Sequence, residues 1–378
     1  MSVLITGATG FVGSRLAHAL LARRGLRVIA LGRGDLATVR RRVVEAVSLH
    51  GDVDADALRR LQCVSGDVTL PWLGLSPGLH ARLASQVDAV WHCAADIALT
   101  GERDRLYRVN TQGTAQVLAF ADQTRPSCKL VHVSTMAVAG NRPAGLVMED
   151  DLTDAYGFIT HYDASKYEAE RLVRAWAARR GRPVVVLRPG IVASDRPLPQ
   201  TAADHPLAML GRMIEAVASG GAPGIPAASD RLKGARVRLR LRASATAAFN
   251  IVPSDYATDA MVRIGHDTIH EGAVAHTYHI VHPTPTLLGH LLRAFEEHYC
   301  GLQLQCAEDF DDATPAEQFI AGHLTGFLGY CRLPHHFDRT RAVAATPGLP
   351  EPAPVDERFL RRALGFAPAA AGAPTSVC

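Results

Sequence analysis

The sequence is short of several features, and each shortage removes a class of protein. Its seven cysteines are odd in number and include no CxxC pair, so neither a zinc site nor a disulfide framework is indicated. There is no positively charged leader, and no apolar run reaches the length that crosses a bilayer. The first residues already read as strand, which leaves nothing to cleave. The expectation is a soluble, cytoplasmic protein with no membrane partner. A net charge of +3 gives no support for bulk nucleic-acid binding. No internal repeat is visible, which excludes a solenoid. His335 and His336 stand near Arg332 without metal-ligand spacing around them, so no metal site is expected. What is present is globular: 48% hydrophobic and 20% charged residues over 378 positions. That length fits one large or two interleaved domains and buries roughly three quarters of the unfolded surface.

Residues 3–6 form an apolar strand that runs into Gly7-Ala8-Thr9-Gly10-Phe11-Val12-Gly13. A helix-period segment follows to Arg24, with Val12, Leu16, Ala19 and Leu20 on one face. Arg23 and Arg24 fall in its last turn and Gly25 is its stop. Gly7 lets the chain turn sharply off the strand. Gly10 lets a pyrophosphate approach the backbone N–H groups, and Gly13 lets the helix pack close to the sheet. The helix N-terminus then faces the diphosphate with its positive dipole end. Thr9, Phe11 and Val12 complete this candidate cofactor loop.

Residues 26–31 read as the second strand. Where a cofactor keeps a free ribose 2′-hydroxyl, an Asp or Glu usually ends this strand; here Gly32-Arg33-Gly34 does. A guanidinium suits a 2′-phosphate, so Arg33 favours NADPH. Arg40, Arg41 and Arg42 open the next helix. Arg42 is the candidate for added charge at the phosphate, and Arg40 and Arg41 read as a solvated face. Asp35 lies close by and leaves NADH open. The third strand, 61–65, ends in Gly66-Asp67-Val68. Asp67 and Val68 are candidate cofactor contacts, Asp67 either accepting from the adenine amino group or capping a turn. The fourth strand, 88–92, ends in Cys93-Ala94-Ala95, where small side chains leave room for ribose and phosphates. Residues 109–114, including Asn110, open a helix behind the site. The fifth strand, 129–133, ends in Ser134-Thr135. This alternation of strands and helices specifies an α/β fold, a Rossmann-type doubly wound parallel sheet. Ligands bind such sheets at the carboxyl ends of strands, where Thr135 stands.

Tyr162-Asp163-Ala164-Ser165-Lys166 lies on a segment of helical composition and period. Tyr162 and Lys166 are then one turn apart on one face. An ammonium beside a phenol favours the phenolate, which makes Tyr162 a usable proton donor or acceptor near neutrality. Thr135 can supply a second hydrogen bond to the same substrate oxygen.

These motifs (GATGFVG, HCAAD, VNTQGT, VSTMAVAG and YDASK, with Arg188-Pro189-Gly190-Ile191 after a sixth strand at 184–187) resemble the extended short-chain dehydrogenase/reductase superfamily over nearly the whole chain. The resemblance implies that Thr135, Tyr162 and Lys166 are the catalytic triad. It implies that Lys166 also binds the nicotinamide ribose and that Pro189, Gly190 and Ile191 lie against the nicotinamide. It leaves Asn110 either supporting a water relay behind Lys166 or bending its helix. The branch it resembles is the thioester reductases: the terminal reductase domains of nonribosomal peptide synthetases, carboxylic acid reductases and fatty acyl-CoA reductases. The helical insert 35–61 running into Ser65-Gly66-Asp67-Val68-Thr69-Leu70-Pro71-Trp72-Leu73-Gly74-Leu75-Ser76 carries that likeness. So do Glu149-Asp150-Asp151, Val252-Pro253-Ser254-Asp255-Tyr256-Ala257, Tyr278-His279-Ile280-Val281-His282-Pro283 and Phe337-Asp338-Arg339-Thr340-Arg341, with Val355-Asp356 and residues 360–366.

The reaction implied is NADPH-dependent reduction of an acyl thioester to an aldehyde, or on to the alcohol. His161 departs from the pattern, standing where a Gly usually precedes the tyrosine. The chain also starts flush with its first strand, so the resemblance implies a free-standing enzyme whose acyl group arrives on a separate carrier protein or on coenzyme A. Two other readings stay open: an extended-family enzyme acting on a free ketone or sugar nucleotide, and a non-catalytic NADP-sensing protein. The latter generally loses the tyrosine and lysine that are present here.

The rhythm of strand and helix lapses after Ala193. Residues 197–206 read as loop, 207–218 as helix and 220–226 as linker. Residues 236–242 then alternate Arg with apolar residues, as a half-buried strand does. Its arginines either guard a sheet edge or dock a phosphopantetheine phosphate or an acidic carrier protein. The expected division is a NADP-binding domain at 1–195 and 250–283 and a smaller, interleaved substrate-binding domain at 196–249 and 284–366. A helix is expected at 287–300, an acyl channel or plain core at 322–330, a linker at 347–354 and a disordered tail at 367–378.

Overall fold

Val3, Leu4 and Ile5 are fully buried because their strand, β1 (Ser2–Thr6), lies inside a sheet covered on both faces. The computed structural model describes residues 1–142, 144–197, 199, 202–218, 237–244, 247–268, 275–299, 302–307, 309–330 and 335–366. The expected linker 220–226, tail 367–378 and Arg236 lie outside these residues. From β1 the chain runs through α1 (Phe11–Leu21), β2 (Arg27–Gly32), α2 (Leu36–Ser48), α3 (Ala55–Arg60), β3 (Leu61–Ser65), α4 (Pro77–Gln86), β4 (Ala89–His92), α5 (Arg103–Leu106), α6 (Gly113–Asp122) and β5 (Lys129–Val133). It continues through β6 (Gly145–Val147), α7 (His161–Arg180), β7 (Val184–Pro189), β8 (Ile191–Ala193), α8 (Pro206–Ala218) and β9 (Val237–Arg242).

The central sheet has the order β3-β2-β1-β4-β5-β7 and then the strand Ala275–Ile280, with every pair parallel. The direction of winding reverses between β1 and β4, which opens a crevice at the carboxyl ends of those strands. Side chains alternate between two cores. Val3 and Ile5 join Leu16, Leu20 and Trp91 on one face. Leu4 joins Phe120, Val173 and Trp176 on the other. A third cluster gathers Leu207, Leu241, Leu291, Ile320 and Leu360 from the segments that follow β8.

Strand bounds fall within a residue or two of the sequence reading, and local chemistry explains where helices differ. Asp35 caps α2 by accepting the Thr38 N–H at 2.9 Å, so that helix starts at Leu36. Arg40, Arg41 and Arg42 therefore sit inside it and do not open it. α1 ends at Leu21, leaving Arg23 and Arg24 beyond its last turn. The helix expected to open at 109 begins at Arg103 and passes through a π-helical turn, Tyr107–Gln112, before α6.

The strand Ile251–Pro253 pairs with β8 in a separate two-stranded sheet, and Ala257 and Met261 of the helix that follows pack in the first core. Ala342 of the helix Thr340–Ala344 packs there too, although its stretch of sequence reads as part of the second domain. Glu149 explains why. It is buried and accepts the backbone N–H groups of His279 at 2.9 Å and Arg341 at 2.7 Å, pinning that helix to the sheet's last strand. Asp150 pairs with the Arg341 side chain.

Candidate active site

The β1–α1 turn has no room for side chains. Gly7 adopts φ +74°, and a Cβ there would stand 2.7 Å from the Ala94 backbone nitrogen. A Cβ on Gly13 would stand 2.1 Å from the Gly7 carbonyl oxygen. The Gly10 N–H closes the turn onto that same oxygen at 2.9 Å. Gly10 is also the N-cap of α1 and offers no side chain. The first-turn N–H groups, which have no partner within a helix, are thus left to a ligand. A dinucleotide diphosphate fits this cradle. Behind it stand two residues that motif reasoning missed. Arg15 lies 3.7 Å over the Phe11 ring, its guanidinium pushed down to about 10 by burial. His205 packs on the same ring at 4.9 Å. Gly13→Ala is expected to destabilise the protein by about 1–3 kcal/mol through overpacking. It should also remove the fluorescence enhancement of a reduced nicotinamide dinucleotide, NADH or NADPH, at concentrations that saturate the parent, measured by titration.

At the far end of the crevice Arg33 is exposed just past β2, and Arg42 lies on the exposed face of α2. The Asp35 carboxylate is held by the Thr38 N–H and, at 2.7 Å, by the Thr38 hydroxyl. These bonds keep its carboxyl below the usual range. Asp67 caps a turn: its Oδ1 accepts the Thr69 N–H at 2.8 Å and hydroxyl at 2.9 Å. Its own N–H donates to Leu73. That turn holds Trp72 and Leu73 at φ 58° and 59°, a left-handed pair that non-glycine residues rarely adopt. Val68 is buried and lies against Gly113, where a Cβ would approach it to 3.2 Å.

At the ends of β4 and β5 the remaining candidates converge. Ala94, followed by Ala95, donates its N–H to Thr6 Oγ1 at 3.2 Å. Asn110 sits in the π-helical turn and faces α7. Its Nδ2 donates to Asp96 O and to Ser165 Oγ, both at 2.9 Å, and its Oδ1 accepts the Asp96 N–H at 2.7 Å. Ser165 in turn donates to the Tyr162 carbonyl at 2.7 Å. The helix distortion therefore places Asn110 in a hydrogen-bond chain that reaches the backbone of α7. Thr135 follows β5, and its hydroxyl bonds the Tyr162 phenol. Lys166 is 3% exposed and donates to the Val133 carbonyl at 2.9 Å. Burial brings its ammonium down to about 8, opposed by Glu170 and Cys93.

The phenol itself differs from the sequence expectation. Burial and the Asp163 charge push Tyr162 above the ordinary phenol range, and the Thr135 bond only partly offsets them. Pro189 is buried, and Gly190 and Ile191 follow, partly exposed. Gly190 passes so close to Asn250 that a Cβ would meet its carbonyl oxygen at 2.7 Å. Asn250, another residue that motif reasoning missed, clasps the His282 backbone through both ends of its amide at 2.8 Å.

Beneath the site Ser134 donates to Glu170 at 2.7 Å, so its side chain faces the protein interior. Glu170 also accepts a bidentate bond from Arg188 at 2.7 and 3.0 Å and one from Arg174 at 2.9 Å.

Between the loop before α7 and the segments around β9 and the helix Pro315–Tyr330, a cavity of ≈ 970 Å³ is lined by Leu99, Phe158, His161, Arg240, Phe310 and Gly326, among others. The departure at His161 thus shapes this wall. β9 pairs in parallel with the strand Leu302–Ala307. Arg240 is held by Glu317 at 2.9 Å and Asp312 at 2.7 Å, and Arg242 by Asp309 at 3.2 Å. These internal partners occupy two of the arginines considered for docking a phosphate. His335 bonds the Arg142 carbonyl at 2.7 Å. Among the described residues no cluster of metal ligands occurs, and no helix is long and apolar enough to cross a membrane.

A parallel sheet reversing at a glycine-lined crevice, with a hydroxyl, a phenol and an ammonium gathered at its carboxyl edge, defines an extended short-chain dehydrogenase/reductase that binds NAD(P). The chain belongs to the NAD-binding family described as male sterility protein, whose pattern matches residues 5–261. It is 27% identical over 397 residues to a nonribosomal peptide synthetase of Aspergillus hancockii. That alignment covers 96% of this chain and 36% of the synthetase, so the chain spans about a third of that relative's length. Its fold is similar to the terminal R domain of the myxalamid PKS-NRPS biosynthetic pathway, with a TM-score of 0.74 at 24% identity over 96% of this chain and 89% of that one. It is also similar to a thiolation-reductase di-domain from an archaeal non-ribosomal peptide synthetase, with a TM-score of 0.70 at 20% identity over 97% and 74%.

Proposed function

We propose that the protein is an NADPH-dependent reductase of acyl thioesters, releasing an aldehyde or carrying it on to the alcohol. The observation that carries this is the convergence of Thr135, Tyr162 and Lys166 at the carboxyl end of β5, beside the glycine cradle. When bound, the reduced nicotinamide supplies a hydride. Tyr162 and Thr135 hold the substrate carbonyl oxygen and stabilise the charge that develops on it, and Tyr162 gives up its proton to that oxygen. The resulting hemithioacetal collapses to aldehyde and free thiol. Lys166 orients the ribose, Pro189, Gly190 and Ile191 bound the nicotinamide, and Asn110 steadies the turn of α7 that carries the phenol. Residues 1–195 and 250–283 bind the dinucleotide; 196–249 and 284–366 bind the substrate.

The kinship with synthetase reductase regions supports delivery of the acyl group on a carrier protein, with coenzyme A as the free equivalent. NADPH is favoured over NADH because Arg33 is exposed at the end of β2 while the nearby Asp35 is engaged with Thr38. Arg33→Ala is expected to weaken NADPH about ten- to hundred-fold, the worth of a charge-assisted hydrogen bond, and to leave NADH unchanged in parallel fluorescence titrations.

The reading is tested by following NADPH absorbance with octanoyl-CoA and octanoyl-loaded carrier protein, against a UDP-4-keto sugar and cyclohexanone. Oxidation with a thioester alone supports it; oxidation with the keto sugar nucleotide or ketone alone overturns it.

A further inference from the structure

Phe11 is the first residue of α1, so its N–H belongs to the turn that faces the diphosphate. Its ring is 8% exposed and is held from two directions. Arg15, one turn further along the same helix, places its guanidinium 3.7 Å from the ring centre and donates from Nη1 to the Phe11 carbonyl at 2.9 Å. That contact is internal to α1 and does not fix where the helix begins relative to the rest of the fold. His205 does. It is 1% exposed, and its ring centre lies 4.9 Å from that of Phe11 at an interplanar angle of 55°. The same imidazole caps α8: its Nδ1 accepts the Ala208 N–H at 3.3 Å. Burial, with the Arg15 charge also opposing protonation, brings it down to about 4, so the ring that meets Phe11 is neutral. α8 is in turn seated in the third core cluster. Leu207 and Leu210 belong to that cluster, and a Cβ on Gly211 would collide with the Leu364 carbonyl oxygen.

We propose that His205 is a positioning residue for the dinucleotide: through its ring contact with Phe11 it ties the first turn of α1 to the third core cluster, and so holds that turn's N–H groups where they receive the diphosphate. The inference rests on the glycine turn being the dinucleotide cradle, and it is independent of which acyl group is reduced. The first turn of a helix has N–H groups without intrahelical partners, and helix ends fray. At α1 the N-cap is Gly10, which makes no side-chain capping bond. The packing of Phe11 restrains the turn instead. With the turn already in place, binding does not have to order it. With the contact removed, only the fraction of molecules whose turn is in place can bind, and the apparent dissociation constant rises by the inverse of that fraction. The coupling is reciprocal, so a bound dinucleotide steadies α8 in return.

The test separates the ring from the cap. His205→Asn keeps a side-chain acceptor for the Ala208 N–H and removes the ring; His205→Phe keeps a ring and removes the acceptor. Dissociation constants for NADH and NADPH are measured by fluorescence titration with no thioester present, and denaturant midpoints are measured alongside. His205→Asn is expected to bind both dinucleotides about five-fold more weakly than the parent, the worth of one aromatic contact. His205→Phe is expected to stay within about two-fold of the parent, even if its midpoint falls further than that of His205→Asn. In a Phe11→Leu background, His205→Asn is expected to add less than about two-fold, because the contact is already gone. In the parent, saturating NADPH is expected to slow hydrogen exchange at the amides of residues 207–215 in α8. Equal affinity in His205→Asn and the parent overturns the proposal. So does a loss in His205→Phe as large as in His205→Asn, which would assign the effect to the cap, and so does a full five-fold loss on top of Phe11→Leu. If neither His205 variant folds, unchanged exchange of α8 in the parent overturns it. A parent that bound neither dinucleotide would overturn the cradle and this inference with it. No thioester enters the measurement, so failure of the reductase reading is separately visible.

Discussion

Replacing Tyr162 by Phe is expected to lower NADPH oxidation on an acyl thioester about 10³-fold, within the range by which a positioned general acid accelerates proton transfer, while NADPH binds as before. The substitution removes one oxygen and keeps the ring, so the packing at the start of α7 is retained. The cradle that holds the diphosphate belongs to β1, α1 and the end of β4 and does not touch Tyr162. Lys166 bonds the Val133 carbonyl, so its position does not depend on the phenol. What is lost is the phenol proton beside the Thr135 hydroxyl. Thr135 remains as a hydrogen-bond donor, which accounts for a residual rate. A stopped-flow absorbance assay and a fluorescence titration read the two quantities separately. A variant that kept more than a tenth of the parent rate would remove Tyr162 from the proton-donor role.

The contrast between what the sequence disclosed at this site and what it hid follows from the range of the forces involved. The glycine turn was legible because its constraints are local: Gly7, Gly10 and Gly13 are needed by contacts within seven residues and by one neighbouring strand end. The strands of the central sheet were legible because they are buried on both faces and read as short apolar runs. The Tyr162–Lys166 spacing is likewise a property of one helix. The electrostatics of that pair were not legible. They depend on how deeply the fold buries both groups and on Asp163, which the hydroxyl of Tyr330 reaches from a distant helix. The same holds for Arg240, whose alternating strand is visible in the sequence while its partners Glu317 and Asp312 are not. The π-helical turn at Asn110 changes which carbonyl each N–H meets but leaves no mark on composition. Glu149 and the segment after Phe337 were each noticed for their likeness to a family pattern. Only the fold shows that they are one contact, the carboxylate capping the helix Thr340–Ala344.

The largest stability effect is expected at Glu170, a residue that sequence reading treated only as part of a helix. Glu170 and Arg188 are both 0% exposed, and two bonds link them directly. Arg188 also donates to the Asp151 carbonyl at 2.7 Å, and Arg174 ties the same carboxylate to Thr277 of the last strand. Glu170→Ala leaves Arg188 charged and fully buried without its carboxylate partner, and is expected to destabilise the fold by about 3–5 kcal/mol, as removal of one partner from a buried ion pair does. Replacing both by Met is expected to be milder, because the fully buried guanidinium goes with its partner and only the partly exposed Arg174 loses an ion pair; denaturant midpoints compare the three proteins.

The pH dependence follows from the same pair. Burial alone would raise the Glu170 carboxyl, but Arg188, Arg174 and the Ser134 hydroxyl outweigh it and hold it at about 2, below its ordinary 4.5. Its stabilisation is therefore complete above about pH 4.5 and is lost as the pH falls toward 2. The parent should lose stability across that window more steeply than the doubly substituted protein. Equal slopes would show that the carboxylate is not held by the arginines. Because Ser134 hangs from the same carboxylate at the mouth of β5, the one residue before Thr135, loosening this pair should also lower turnover in the protein that remains folded, with thioester affinity less affected.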